Sequence, residues 1–195
     1  MKMNIPNQLT ILRMVLIPAF VGCYFFIENP LVAGIVAAII FAVASLTDML
    51  DGKIARKYNL VTNFGKIMDP LADKALVFSA FLMLAVVVDA IDGIMIWACV
   101  IVFIRELGVT SMRLACAKSE VSLAANFFGK AKTVTQMACI LVVLIENALI
   151  ASGTLNLGAC NYLASFILIV AMSFMTVASG INYVKGYLPY LNSNN

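Results

Sequence analysis

Apolar residues run along this chain in long blocks separated by short polar knots. They predict six helices, over 5–27, 31–58, 68–88, 92–117, 126–150 and 157–184. Each is near or above the ~20 residues with which an α-helix crosses a bilayer. Counting the uncharged runs adds detail. Asn29–Thr47 gives 19 residues and Asn147–Val184 gives 38, enough for full spans at ~1.5 Å rise per residue. The other four helices hold only 12 to 14 uncharged residues: Met14–Ile27, Ala75–Val88, Gly93–Ile104 and Thr133–Ile145. In all four the charge intrudes from the same side of the membrane. Lipid tolerates this only where the groups face a shared wet cavity, although snorkelling lysine stems explain part of it. The pattern predicts a polar cavity open at one end of the bundle and reaching about halfway through it.

Composition sets the class. Of the 195 residues 63% are hydrophobic and 12% charged, with mean hydropathy +1.02. A soluble domain is about half apolar and about a quarter charged. The expectation is an all-α integral membrane protein, one domain over 1–195, since no charge run or low-complexity linker divides it. The start, Met1 to Asn7, has no small-residue cleavage pattern after its first apolar run, so no removable signal peptide is expected. The tail from Leu191 to Asn195 is expected to fray.

Charge supplies the orientation. The predicted outward loops hold Glu28, Asp89, Asp92 and Glu146 and no Lys or Arg. The inward ends hold Lys2, Arg13, Lys53, Arg56, Lys57, Lys66, Lys74, Arg113, Lys118, Lys130, Lys132 and Lys185, which is 12 of the 13 basic residues. Arg105 alone lies deeper. This bias puts both termini and the cavity mouth on the cytoplasmic side of a multi-pass protein of the inner (cytoplasmic) membrane. An odd number of helices would break the segregation. Nothing reads as nucleic-acid binding.

Two residue types exclude chemistry. The five cysteines, Cys23, Cys99, Cys116, Cys139 and Cys160, have neither zinc-site spacing nor a disulfide pattern. Histidine is absent, which removes Ser-His-Asp arrangements, phosphohistidine intermediates and histidine bases. Proton transfer is left to a carboxylate, Lys, Tyr or Cys.

Four aspartates stand out against this background: Asp48-x-x-Asp51-Gly52-x-x-Ala55-Arg56, eight residues, then Gly65-x-x-x-Asp69-x-x-x-Asp73. Ionisable residues at membrane depth are costly and are functional by default. At ~100° per residue Asp48 and Asp51 lie about 60° apart, and Asp69 and Asp73 share a face. A short loop joins the two helices, so four carboxylates can converge. Bare, they would repel strongly, and hard divalent ions such as magnesium or manganese relieve that. Two such ions about 4 Å apart can bridge a diphosphate. Gly52 and Ala55 leave a bare helix face, Arg56 suits phosphate oxygens, and Pro70 reads as a first-turn residue of the third helix. A buried structural ion network is the bland alternative.

In all eight fixed positions this pattern resembles the signature of the CDP-alcohol phosphatidyltransferases. The resemblance implies that Asp48, Asp51 and Asp69 ligate two divalent ions, with Asp73 also touching a metal and serving as general base. The base would take the proton of an acceptor alcohol, whose oxygen attacks the phosphorus bearing diacylglycerol while CMP leaves. It also places Gly52, Ala55, Arg56 and Gly65 on the CDP-diacylglycerol side. The residue chemistry agrees without singling out Asp73. Asn7, Thr10 and Arg13 either contact nucleotide or phosphate or cap the first helix.

Three more segments are similar to one branch of the family, the phosphatidylglycerophosphate synthases: Pro6 to Arg13, Arg105 to Arg113, and Gly129-Lys130-Ala131-Lys132-Thr133. That branch implies glycerol 3-phosphate as acceptor. A small dianion needs several cationic donors, and Arg105, Arg113, Lys130 and Lys132 are the candidates. Arg105 and Arg113 are separated by about 80° around their helix. The lysines are equally explained by topology and anionic lipid, and Arg105 by a structural pairing with Glu106. Inositol phosphate or phosphatidylglycerol as acceptor, a hydrolase using water, and an ion-coupled transporter remain open. Small residues on the sixth helix, Ala171, Ser173, Ala178, Ser179 and Gly180, suit core packing or a homodimer face.

Overall fold

A computed structural model describes residues 4–57, 62–115 and 127–192; the side chains of 5, 49–57, 63, 66, 115, 127, 128, 130, 159 and 188–192 lie outside the description. The described residues form six long helices: α1 (Ile5–Phe26), α2 (Pro30–Lys57), α3 (Asn63–Val87), α4 (Asp92–Ala115), α5 (Phe127–Ala151) and α6 (Leu163–Asn192). Short 3₁₀ turns at Asp89–Ile91 and Gly158–Cys160 precede α4 and α6. All six helices are long and apolar enough to cross a membrane.

Local chemistry explains the helix starts. Asn29 caps α2 by accepting the amides of Leu31 and Val32 at 3.0 and 3.3 Å, and Pro30 follows it, where a missing N–H costs nothing. Thr62 caps α3 by accepting the amide of Gly65 at 3.0 Å. That cap overturns the expected start at 68. Pro70 is therefore an interior residue of α3 and leaves one carbonyl of the preceding turn without its helical donor. The expected sixth helix from 157 is also corrected. Gly153, Gly158 and Tyr162 all have positive φ, so the chain turns there and α6 begins at Leu163. At its far end α6 continues through Asn192, beyond both the expected end at 184 and the start of the expected frayed tail.

The helices pack as a closed ring, α1–α2–α5–α6–α4–α3 and back to α1, with α3 also touching α2 and α5 across the middle. Small residues bring the backbones together. A Cβ on Gly34 of α2 would lie 2.4 Å from the Ala148 Cβ of α5, so these helices meet almost backbone to backbone. Ala33, Ala37, Phe41 and Ala44 continue the buried face of α2. The core is completed by Leu76, Phe81 and Leu84 of α3, Ile140 and Leu144 of α5, and Ile169 and Met172 of α6. Phe26, Val86, Trp97 and Phe174 are exposed on the perimeter, as a lipid-facing surface requires. Of the small residues singled out on α6, Ser179 is buried in the bundle and Ala171 faces outward, so they do not form one face.

Candidate functional site

Charged and polar side chains from all six helices gather at one end of the ring. From α1 come Asn7, Thr10 and Arg13, three residues apart and all buried, Arg13 completely. Arg13 Nη1 reaches Asp48 Oδ1 of α2 at 2.8 Å. The Thr10 hydroxyl is shared between the Pro6 carbonyl and the Asp69 carboxylate of α3. Thr62 donates to Asn7 Oδ1 at 2.8 Å, tying the start of α3 to α1. Gly65 sits where these groups meet: a Cβ there would lie 3.3 to 3.4 Å from oxygens of Asp69, Thr62 and Asn7. The start of α3 can approach α1 this closely because Gly65 carries no side chain.

Thr10 and Arg13 thus hold two of the aspartates from α1, while Asn7 ties α1 to the cap of α3. Asp48 is held by an ion pair and Asp69 by a hydroxyl, while Asp73 makes no hydrogen bond among the described residues. The side chains of Asp51, Gly52, Ala55 and Arg56 lie outside the described residues. Without Asp51, no set of three acidic, Cys or His side chains among the described residues closes on a point that would hold an ion. The donor set fits hard cations nonetheless: it is all carboxylate oxygen, and Arg13 offsets only part of its charge.

A second cluster lies beside the first, between α4, α5 and α6. Glu106 accepts from Arg105 Nη1 at 2.8 Å and from Lys132 Nζ, so one carboxylate bridges two cations. Arg105 Nη2 donates to Ser179 Oγ at 2.8 Å, and its guanidinium lies 5.3 Å from the centre of the Tyr183 ring. Gly180 leaves room for the Arg105 stem, whose Cγ would be 3.3 Å from a Cβ there. Lys74 donates to Thr110 Oγ1 at 2.6 Å, and Thr110 donates to the Glu106 carbonyl at 2.7 Å. Of the four cations expected for an anion pocket, Arg105 and Lys132 are brought together. Arg113 is exposed in the last turn of α4, and the Lys130 side chain lies outside the described residues.

The two clusters share one small cavity of about 20 Å³, lined by Asp73, Lys74, Glu106, Lys132, Thr133 and Gln136 with apolar neighbours. Gln136 is 2% exposed, and its amide nitrogen has no hydrogen-bond partner among the described residues. An unpaired buried donor costs about 1–3 kcal/mol. Sequence reasoning missed Gln136, although it lies one turn beyond Lys132 on the same helix face. It also counted Lys74 only as a topology marker and saw in Glu106 a partner for Arg105 but not for Lys132.

Comparison with known proteins gives a consistent picture. The family model described as CDP-alcohol phosphatidyltransferase matches residues 3–178. Proteins named CDP-diacylglycerol–glycerol-3-phosphate 3-phosphatidyltransferase are similar along nearly their whole lengths. The one from Rickettsia bellii is 37% identical, covering 96% of this chain and 97% of its own. That from Bacillus subtilis is 35% identical, with 98% and 99% covered, and that from Haemophilus influenzae 34%, with 95% and 94% covered.

Proposed function

The chain belongs to the CDP-alcohol phosphatidyltransferase family, and on that premise we propose that it transfers the phosphatidyl group of CDP-diacylglycerol to glycerol 3-phosphate. The products are phosphatidylglycerol phosphate and CMP. Curated relatives carrying this activity in their names align over almost the entire chain. The observation that carries the reading is structural: Asp73 lines the same cavity as Lys132 and Glu106, so a candidate base and a candidate phosphate-binding cation share a wall.

Each residue has a role in this reading. Asp48, Asp51, Asp69 and Asp73 would hold two divalent ions, magnesium or manganese. When bound, these neutralise the diphosphate and the departing CMP. Arg13 and Thr10 fix the carboxylates of Asp48 and Asp69, limiting the freedom of the cluster before any substrate arrives. Asp73 takes the proton from the acceptor hydroxyl. The freed oxygen bonds to the phosphorus that bears diacylglycerol, and the bond from that phosphorus to the CMP oxygen breaks. Gly52, Ala55 and Arg56, together with Gly65, Asn7 and Thr10, are assigned to the donor side.

On the acceptor side, Arg105 and Lys132 bind the phosphate dianion, and Lys130 and Arg113 are assigned to the same side. Glu106 keeps the two inner cations in place and lowers their net charge, which suits a small dianion that must enter and leave. The site end faces the cytoplasm of an inner-membrane protein, since 12 of 13 basic residues fall on that side of the six-helix drawing. CMP release by detergent-purified protein, with CDP-diacylglycerol and magnesium, tests the reading. Glycerol 3-phosphate, inositol phosphate, phosphatidylglycerol, serine and water are offered in turn. Release that depends on glycerol 3-phosphate supports it. Release with another acceptor keeps the aspartate chemistry and discards the acceptor, and release with water alone makes the protein a hydrolase.

A further inference from the structure

The cavity between the two clusters is small. At about 20 Å³ it has room for one water or one hydroxyl group, and not for a phosphate with its four oxygens. The groups around it are unequally occupied. Lys132 is bound to Glu106, Lys74 to Thr110, and Thr133 to the Gly129 carbonyl at 3.3 Å. Gln136 is different: the residue is 2% exposed, and its amide nitrogen is buried with no partner among the described residues. Buried polar groups are nearly always paired, so an enclosed amide beside a hydroxyl-sized space points to something that fills that space.

Resting on the acceptor reading above, we propose that Gln136 is a specificity-determining residue that donates its amide N–H to the secondary hydroxyl of glycerol 3-phosphate. The chemistry of the acceptor fits the walls. Its attacking hydroxyl belongs with Asp73, its phosphate with Arg105 and Lys132, and its secondary hydroxyl sits on the carbon between those ends. Asp73, Lys132 and Gln136 all line the cavity, and only Gln136 is neutral with an open donor. A neutral amide suits an uncharged hydroxyl, and the hydroxyl takes the place of a water in the space. Sites built around a substrate hydroxyl reject an analogue without it, because the buried partner is then left unpaired.

The test compares glycerol 3-phosphate with 3-hydroxypropyl phosphate, which keeps the phosphate and attacking hydroxyl and lacks only the secondary one. CMP release is measured for both acceptors with the wild-type protein, Gln136→Leu and Gln136→Glu. The wild type is expected to prefer glycerol 3-phosphate by about 10- to 100-fold in kcat/KM. In Gln136→Leu the preference should fall below about 3-fold, mainly through loss on glycerol 3-phosphate, with the KM for CDP-diacylglycerol unchanged. Gln136→Glu, which keeps the shape but replaces the N–H donor with a carboxylate beside Asp73 and Glu106, should lose the preference as well. Equal losses on both acceptors in Gln136→Leu would mark the residue as structural and overturn the proposal. Equal use of the two acceptors by the wild type would overturn it even if the leucine variant fails to fold. Should the wild type turn over inositol phosphate and not glycerol 3-phosphate, the acceptor reading fails, and this inference with it.

Discussion

Two buried polar clusters sit at opposite ends of this bundle, and they are held in different ways. At the end away from the site, Glu146 accepts the backbone amide of Ser165 at 2.9 Å together with its hydroxyl. Ser165 is the third residue of α6, so this acid from α5 caps a helix whose own first turn holds no acidic residue. Asn147 beside it accepts from the Tyr162 hydroxyl at 2.9 Å. Burial, with the negative charges of Glu146 and Asp89 adding to it, pushes the Tyr162 phenol up, so it stays a neutral donor. This cluster has one charge and is met by neutral dipoles within the fold. At the site end, carboxylates and cations crowd together, Asp73 has no donor and Gln136 no acceptor among the described residues. Most polar groups at the far end are paired within the fold, the buried Tyr24 hydroxyl near Asn147 being the exception among the described residues. At the site end it is a carboxylate and an amide beside one cavity that stay open, and there a ligand is the natural partner.

The largest expected effect breaks the site end alone. Chelating divalent cations should abolish CMP release, and added magnesium should restore it, while the Tm of the apo protein stays within a few degrees. Next, Asp73→Asn should cut turnover by about 10²- to 10⁴-fold with every acceptor and leave the Tm unchanged or raised, because it removes a charge from a crowded cluster. A clear loss of Tm in that variant would mean that the aspartate is structural. Lys132→Met should raise the KM for glycerol 3-phosphate by about 10-fold, as expected for a lost charged hydrogen bond, and hardly alter the KM for CDP-diacylglycerol. An equal rise in both would sink the separation into donor and acceptor sides.

The far end should respond in the opposite sense. Glu146→Ala is expected to cost about 1–3 kcal/mol of stability, read as a lower Tm in detergent, with the kcat of the remaining folded protein unchanged. Tyr162→Phe should do the same more weakly, by about 1 kcal/mol. A fall in kcat without a fall in Tm, in either variant, would erase the distinction between the two ends.

Much of this was legible in the chain. The six spans were, because apolar length is the signal that membranes impose. The helix starts were less so: the Thr62 cap lies five residues before the apolar run of α3, and Pro70, which looks like a starting residue, is tolerated inside it. The aspartates were legible because the chemistry proposed for them requires fixed residue types at fixed spacing on two helices joined by a short connection. For the α1 residues Asn7, Thr10 and Arg13 the chain offers two roles, substrate contact or helix cap, and the position of capping residue falls to Asn4 instead. Their partners are far away in the chain, Arg13 finding Asp48 and Thr10 finding Asp69.

By itself, then, the sequence determined the class of the molecule, its number of spans and its family, and it nominated the residues proposed to carry the chemistry. All three are written in local composition and spacing. Only the tertiary structure decided which helix faces meet: that Glu106 bridges Arg105 and Lys132, that Gly34 lets α2 touch Ala148 of α5, and that Gln136 opens onto the space beside Asp73. The reason is physical. In a bilayer the perimeter is as apolar as the core, so hydrophobic periodicity does not say which side of a helix turns inward. That choice is made by close contact of small residues and by buried polar groups finding partners on other helices.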